Sequence, residues 1–126
     1  GCPVNMFEQY VSIFREKGLS VTALIQSESQ LSSLYGSEKA TTIINNCDTI
    51  VFLGSMDLDT GRSISARANR PLEDILYMPI GSEIIFRRGM KPIFTKRYNI
   101  FQNEMYKRIT MAYEKHVEKE LSQTMR

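Results

Sequence analysis

Two short apolar runs, "LSVTALIQ" over residues 19–26 and "DTIVFLG" over residues 48–54, constrain the fold more than any other feature. Neither alternates polar with apolar residues, so neither reads as a strand with one wet face. Continuous apolar runs of this length, bounded by turn formers, read as strands covered on both faces, as in a parallel sheet. The stretch between them carries helix-start signals. Ser27 with Gln30 three residues later forms a capping box, opening a short helix that stops at Gly36. Ser37 can cap a second helix with Ala40, Ile43, Ile44 and Cys47 on its inner face, and Asp57 a third that runs to about Ala68. Ahead of the first run, Asn5 and Glu8 form another capping box. Phe7, Tyr10, Val11 and Phe14 then follow one helical face, and Gly18 sits at the C-terminal cap position, which predicts a helix over residues 6–17. Strand, helix, strand, helix in this order predicts an α/β fold with parallel pairing.

The pattern changes after Pro71. "PLEDILYMPIG" reads as one or two helical turns and a loop, and "SEIIFRRGMKPIFTKRY" as two β-rich runs hinged at Arg88-Gly89, a hairpin. Pro92 then belongs at an edge or a strand start. Met105, Ile109, Ala112, Tyr113, Val117 and Leu121 recur at helical spacing and predict a long amphipathic C-terminal helix. With 126 residues there is room for one core, so the expected organisation is a single domain in three parts: 1–70, 71–99 and 100–126. No window approaches the ~18 consecutive apolar residues of a membrane span. The start, Gly1-Cys2-Pro3, has no initiator Met and no signal-peptide pattern, and the expectation is a piece of a longer protein. Cys2, Cys47 and the single His116 do not make a zinc set, so no metal is expected and both thiols are expected reduced.

The sequence contains no GxxxxGK[ST] or GxGxxG loop, no GxSxG elbow and no HExxH, so a complete active site is not expected on this chain alone. What remains is polar chemistry at predicted strand ends, where ligands of open α/β sheets collect. Gln26 ends the first predicted strand and Gly54 the second. Taken as residues alone, Gln26 is a loop hydrogen-bonder, Arg15 a cation favoured at a helix C-terminus, and Asn45, Asn46 and Asp48 are turn formers. Cys47, with no His near it in sequence, is a packed small apolar side chain. Over residues 83–108, Arg87, Arg88, Lys91, Lys96, Arg97, Lys107 and Arg108 stand against Glu83 and Glu104, seven minus two, a local excess of five positive charges. Such a stretch can line a groove for phosphates, with Tyr98, Phe101 and Tyr106 stacking on bases, or be a solvated hairpin face with core aromatics.

The block "LSVTALIQSESQLSSLYG…ATTIINNCDTIVFLG", the helix before it and "RRGMKPIFTKRY" after it resemble the C-terminal part of the motor domain of type IV coupling proteins, the TraG/TraD class of conjugative DNA-transfer ATPases. The resemblance spans roughly residues 3–106 and is loose over 62–80. It implies a partial RecA-like (P-loop NTPase type) α/β sheet lacking its first strands, plus the β-hairpin and the long C-terminal helix. It also implies a parent protein that is a membrane-anchored ATPase, a ring (hexamer) that translocates DNA, with this region in the cytoplasm and the fragment itself soluble.

Carried over by position, Gln26 matches the motif III glutamine that senses a γ-phosphate, with Ser27 beside it at the nucleotide, and Arg15 matches a candidate arginine finger. ATP and Mg²⁺ belong to the parent. The Walker A and B motifs would precede this chain, so no cofactor is expected bound to the fragment and no hydrolysis by it. DNA contacts are expected from Arg87, Arg88, Lys91, Lys96 and Arg97, with single-stranded transfer DNA, a relaxase and secretion components as partners. The alternative is a non-catalytic DNA- or protein-interaction module built on the basic hairpin and C-terminal helix. A sheet lacking its first strands exposes an unpaired edge, which predicts self-association of the fragment.

Overall fold

In the computed structural model, residues 3–125 are described, and expectations for Cys2 lie outside them. The chain falls into two compact units, Gly1–Lys96 and Arg97–Arg126, each described by itself. The first contains helices α1 (Phe7–Glu16), α2 (Glu28–Tyr35), α3 (Ser37–Asn45), α4 (Leu58–Ala68) and α5 (Leu72–Leu76), and strands β1 (Thr49–Phe52), β2 (Ser82–Arg87) and β3 (Ile93–Lys96). The second consists of a 3-10 turn at Ile100–Gln102 and a 21-residue helix, α6 (Glu104–Thr124).

The sheet is antiparallel, in the order β1-β2-β3. Thr49 faces Arg87 and Phe52 faces Ile84 across the first pair, and Ser82 faces Lys96 across the second. This corrects the expectation of parallel pairing. It also corrects the first predicted strand: residues 19–25 are extended but form no strand. The physical reason is hydrogen bonding. An extended segment becomes a strand only when its N–H and C=O groups meet a neighbour's, and none of the backbone bonds among the described residues gives residues 20–25 one. Their apolar side chains stay uncovered, Leu24 at 95% exposure. The second run behaves as expected because the hairpin supplies its partner.

Two small cores hold the first unit. Phe52, Ile64, Ala68, Ile75 and Ile84 form one, joining β1, α4, α5 and β2, with Met78 and Phe86 packed against it. Leu31, Ala40 and Ile43 form the other between α2 and α3, with Phe7, Tyr35 and Ile44. Burying side chains of this size contributes about 1.5–3 kcal/mol each. Gly61 lets α4 approach α5: a Cβ there would stand 3.0 Å from Leu76 Cδ2 and 3.3 Å from Leu72 Cδ1.

The starts of α2, α4 and α6 follow local capping chemistry, whereas α1, α3 and α5 have no side-chain cap. Ser27 Oγ accepts the Gln30 N–H at 3.1 Å, and Asp57 accepts the Thr60 N–H at 2.9 Å. The Asn5 capping box does not form. Met6 occupies the cap position in the left-handed region (φ 59°), which moves Asn5 one place outside, and Glu8 instead pairs with Lys39 at 3.2 Å. Ser37 begins α3 rather than capping it, because Gly36 (φ 85°) occupies the cap. In α6, Asn103 accepts from the N–H groups of Met105 and Tyr106, and Phe101 meets Tyr106 edge-on at 5.4 Å. No α6 residue is buried, and no described helix is long and apolar enough to cross a membrane.

Candidate functional site

Gln26, Ser27 and Gly54 come together even though the first run is not a strand. Residues 23–26 run alongside the outer edge of β1, leaving an apolar cleft of about 230 Å³ between them. Leu24, Ile25, Ile43, Ile44, Ile50 and Phe52 line it, together with Gln26, Ser27, Glu28, Gly54 and Thr60. Gln26 is exposed and its side chain makes no hydrogen bond among the described residues, so its amide is available to a ligand. Glu28 is the one charged side chain lining the cleft, and no Lys or Arg does. The cleft therefore lacks the cations a triphosphate needs and does not by itself fit ATP.

The rim that carries Gln26 is anchored by a cluster the sequence only half announced. Asp57 Oδ2 accepts from the Ser29 hydroxyl at 2.8 Å, the Thr60 hydroxyl at 2.6 Å and the Thr60 N–H. The Glu28 N–H in turn donates to Thr60 Oγ1 at 3.0 Å. The N-terminal turns of α2 and α4 are thus bolted together just after Gln26, and Thr60 is buried. The Thr60 hydroxyl first, then the Thr60 N–H and the Ser29 hydroxyl, hold the Asp57 carboxyl below its ordinary range. Asp57 reads from sequence as a cap; its reach to Ser29, 28 residues away, carries no local signal.

Arg15 lies at the end of α1, and its guanidinium is engaged at 3.3 Å with Asp48. Asp48 Oδ1 also takes Arg88 Nε at 3.0 Å, while Arg88 Nη2 donates to the Asn45 carbonyl at 3.1 Å and the Arg88 N–H to the Asp48 carbonyl. Asn46 Nδ2 donates to Ser12 Oγ and to the Thr42 carbonyl. The "NNCD" turn therefore ties α1, α3 and the hairpin turn at one point. Cys47 is half-buried there, its thiol donating to the Ile43 carbonyl at 3.5 Å. Burial first, and the Asp48 charge second, push that thiol up, which keeps it protonated and unreactive.

The antiparallel register divides the basic stretch. Arg87, Arg88 and Lys91 sit at or beside the β2–β3 turn, whereas Lys96 pairs with Ser82 at the opposite end of the hairpin. Five residues of strand separate those ends, about 16 Å at ~3.3 Å per residue. Arg97 begins the second unit. Arg70 of the α4–α5 connection stacks on the Phe94 ring of β3 at 4.8 Å.

Comparison with known proteins follows this geometry. Residues 2–69 match the protein family described as the TraM recognition site of TraD and TraG. Among curated proteins no match is found. Among solved structures, the fold is similar to that of a bacterial conjugative coupling protein, TrwBdeltaN70 in an unbound monoclinic form. The TM-score is 0.64 at 20% sequence identity, over 75% of this chain and 28% of that one. The family match covers more than half of the 126 residues, and the chain belongs to the TraG/TraD family of conjugative coupling proteins.

Proposed function

We propose that this chain is the C-terminal part of the motor domain of a conjugative coupling protein, an ATP-driven DNA translocase that delivers relaxase-bound DNA to a type IV secretion channel. In this proposal the cleft beside β1 is where a further strand of the longer protein completes a RecA-like sheet. That completion converts residues 19–26 from an uncovered extended segment into a strand and sets Gln26 beside a nucleotide whose phosphates and Mg²⁺ are held by residues outside the chain. Gln26 then senses the γ-phosphate, Ser27 lies beside it, and Arg15 serves as an arginine finger once released from Asp48. The family description names TraM, so a TraM-type relaxosome protein is the proposed protein partner, with single-stranded DNA on the basic hairpin and a ring of like subunits around it.

One observation carries the proposal. Gln26, Ser27 and Gly54 share the rim of a single cleft along the open edge of a sheet, in a chain of this family. Steady-state ATP hydrolysis by the longer protein tests it. Gln26→Ala is expected to lower kcat with little change in KM, and Arg15→Ala to lower it by the roughly 10³–10⁵ typical of fingers. Wild-type turnover in both variants would remove the catalytic part of the proposal.

The second reading, a non-catalytic interaction module, is favoured by α6. Met105, Ile109, Tyr113 and Leu121 form an exposed apolar stripe on a helix without a buried residue, the form an amphipathic helix takes before it seats in a partner's groove. Turnover unaffected by Gln26→Ala, together with partner capture lost on Ile109→Asp, would favour that module.

A further inference from the structure

Gln26 is held from one side only. Residues 20–25 before it have no backbone partner among the described residues, so nothing there fixes its position. After it comes the first turn of α2, which is secured by a neighbouring helix as well as by its own cap. Ser27 Oγ takes the Gln30 N–H, one of the N–H groups that a first turn leaves without a partner. The Glu28 N–H is another, and Thr60 Oγ1 of α4 takes it at 3.0 Å. The buried apolar residue of α2, Leu31, lies further on and packs with Ala40 and Ile43 of α3.

Asp57 does more than cap α4. The cap needs one bond, from the Thr60 N–H. The same oxygen, Oδ2, also accepts the Thr60 hydroxyl at 2.6 Å and the Ser29 hydroxyl at 2.8 Å. Short hydroxyl–carboxylate bonds of this kind are roughly twice as strong as neutral ones. The Asp57 N–H donates to Ser55 Oγ at 3.1 Å, in the loop that leaves β1 through Gly54. One residue therefore reaches both segments of the rim. Thr60 and Ser29 connect it to the residues that follow Gln26, and Ser55 connects it to the loop that follows β1. Thr60 is buried, so its hydroxyl works away from water, where leaving a partner unpaired is costly.

We propose that Asp57 is a positioning residue for Gln26: acting through Thr60 and Ser29, it fixes the distance between Gln26 and the end of β1, and so sets the Gln26 amide against the γ-phosphate in the longer protein. The proposal rests on the sensor role proposed for Gln26 above and adds the residues that place it. A sensor at the end of an unpaired ribbon samples many positions, and a misplacement of about 1 Å can cost a hundredfold in rate. The cluster removes that freedom from the side of α4, whose Ile64 and Ala68 belong to the same core as Phe52 of β1.

Two measurements test the proposal. Thr60→Val is the central variant, because it keeps the shape of the side chain and removes the hydroxyl. Backbone amide NMR relaxation of this 126-residue chain reads position. In wild type the order parameter is expected to reach the ~0.85 of rigid backbone by Gln26, and in Thr60→Val to stay below ~0.6 through Glu28 and recover only at Leu31. The amides of α3 should not change. ATP turnover by the longer protein reads function. Thr60→Val and Ser29→Ala are expected to lower kcat by about ten- to a hundredfold with little change in KM. Thr60→Ser should restore it. Asp57→Asn, which keeps a capping oxygen and loses the charge, should lie between wild type and Thr60→Val. Ile75→Val, which removes a methyl group from the other core, should leave kcat unchanged. In a Gln26→Ala background, Thr60→Val should cost nothing more. Unaltered order at Gln26 in Thr60→Val would overturn the proposal, as would an equal loss of kcat in Ile75→Val or a full further loss in the double variant. Wild-type turnover in Gln26→Ala alone would remove the sensor role, and the relaxation data would then decide the positioning of Gln26 by themselves.

Discussion

Strand β1 and the extended residues 19–25 are two stretches of nearly the same apolar makeup, flanking the same cleft. β1 has β2 on one side and the Phe52–Ile64–Ile84 core on one face. Residues 20–25 have neither a backbone partner among the described residues nor cover. Apolar content sets how much a segment gains by burial, but only a neighbour with matching N–H and C=O groups makes it a strand. Where the neighbour is missing, the same composition yields an exposed apolar ribbon and an open sheet edge, the arrangement that invites another strand.

Four perturbations would break or sharpen this contrast. The largest effect is expected in the core beneath β1. Ile64→Ala, at a position 2% exposed, should cost about 2–5 kcal/mol in urea unfolding, while Leu24→Ala should stay within ~0.5 kcal/mol. A comparable loss at Leu24 would mean that the ribbon is covered in solution. The open edge comes next. The chain should self-associate with rising concentration in sedimentation equilibrium, and Val51→Lys, which places a charge on the edge strand, should shift it toward monomer. A monomer at every concentration would remove the open edge as an adhesive surface.

The Asp57 cluster gives a smaller, pH-dependent effect. Its folded pKa lies below the unfolded value of about 3.9. The stabilisation is therefore complete above that value and is lost as pH falls toward the lower folded one. Wild type should lose stability through that window more steeply than Asp57→Asn, and parallel acid limbs would show that the carboxylate contributes nothing. The smallest effect belongs to Asp48→Asn. Its two pairs are surface-exposed and should contribute about 0.2–1 kcal/mol each, fading with salt. A loss independent of salt would indicate that the turn is held by its backbone bonds instead.

Much of this molecule is legible in its sequence, for reasons that can be named. Periodicity and capping chemistry are local, so α1, α2, α4 and α6 appear close to their predicted bounds, with Ser27 and Asp57 accepting from the first turns as expected. The hairpin is announced by β-rich runs around Arg88-Gly89, and Gly89 does take a positive φ. The central block of the family resemblance includes residues that line the cleft. Sequence does not report pairing partners. Parallel and antiparallel neighbours can demand the same apolar run, so the sheet's direction was not legible. Contacts between distant residues were not either. Ser29 with Asp57, and Arg15 and Arg88 with Asp48, meet only because the fold brings their elements together. Met6, which displaces the Asn5 cap, adopts a left-handed conformation that its residue type gives no reason to expect.

The most direct test of the account is amide hydrogen exchange over residues 20–25, in this chain alone and in a longer protein that includes the sequence preceding it. The incomplete-sheet account predicts near-unprotected exchange in the chain alone and slowing by at least about a hundredfold in the longer protein, as those amides gain strand partners. Equally fast exchange in both would contradict it, and would leave Gln26 at the end of a loop instead of the edge of a sheet.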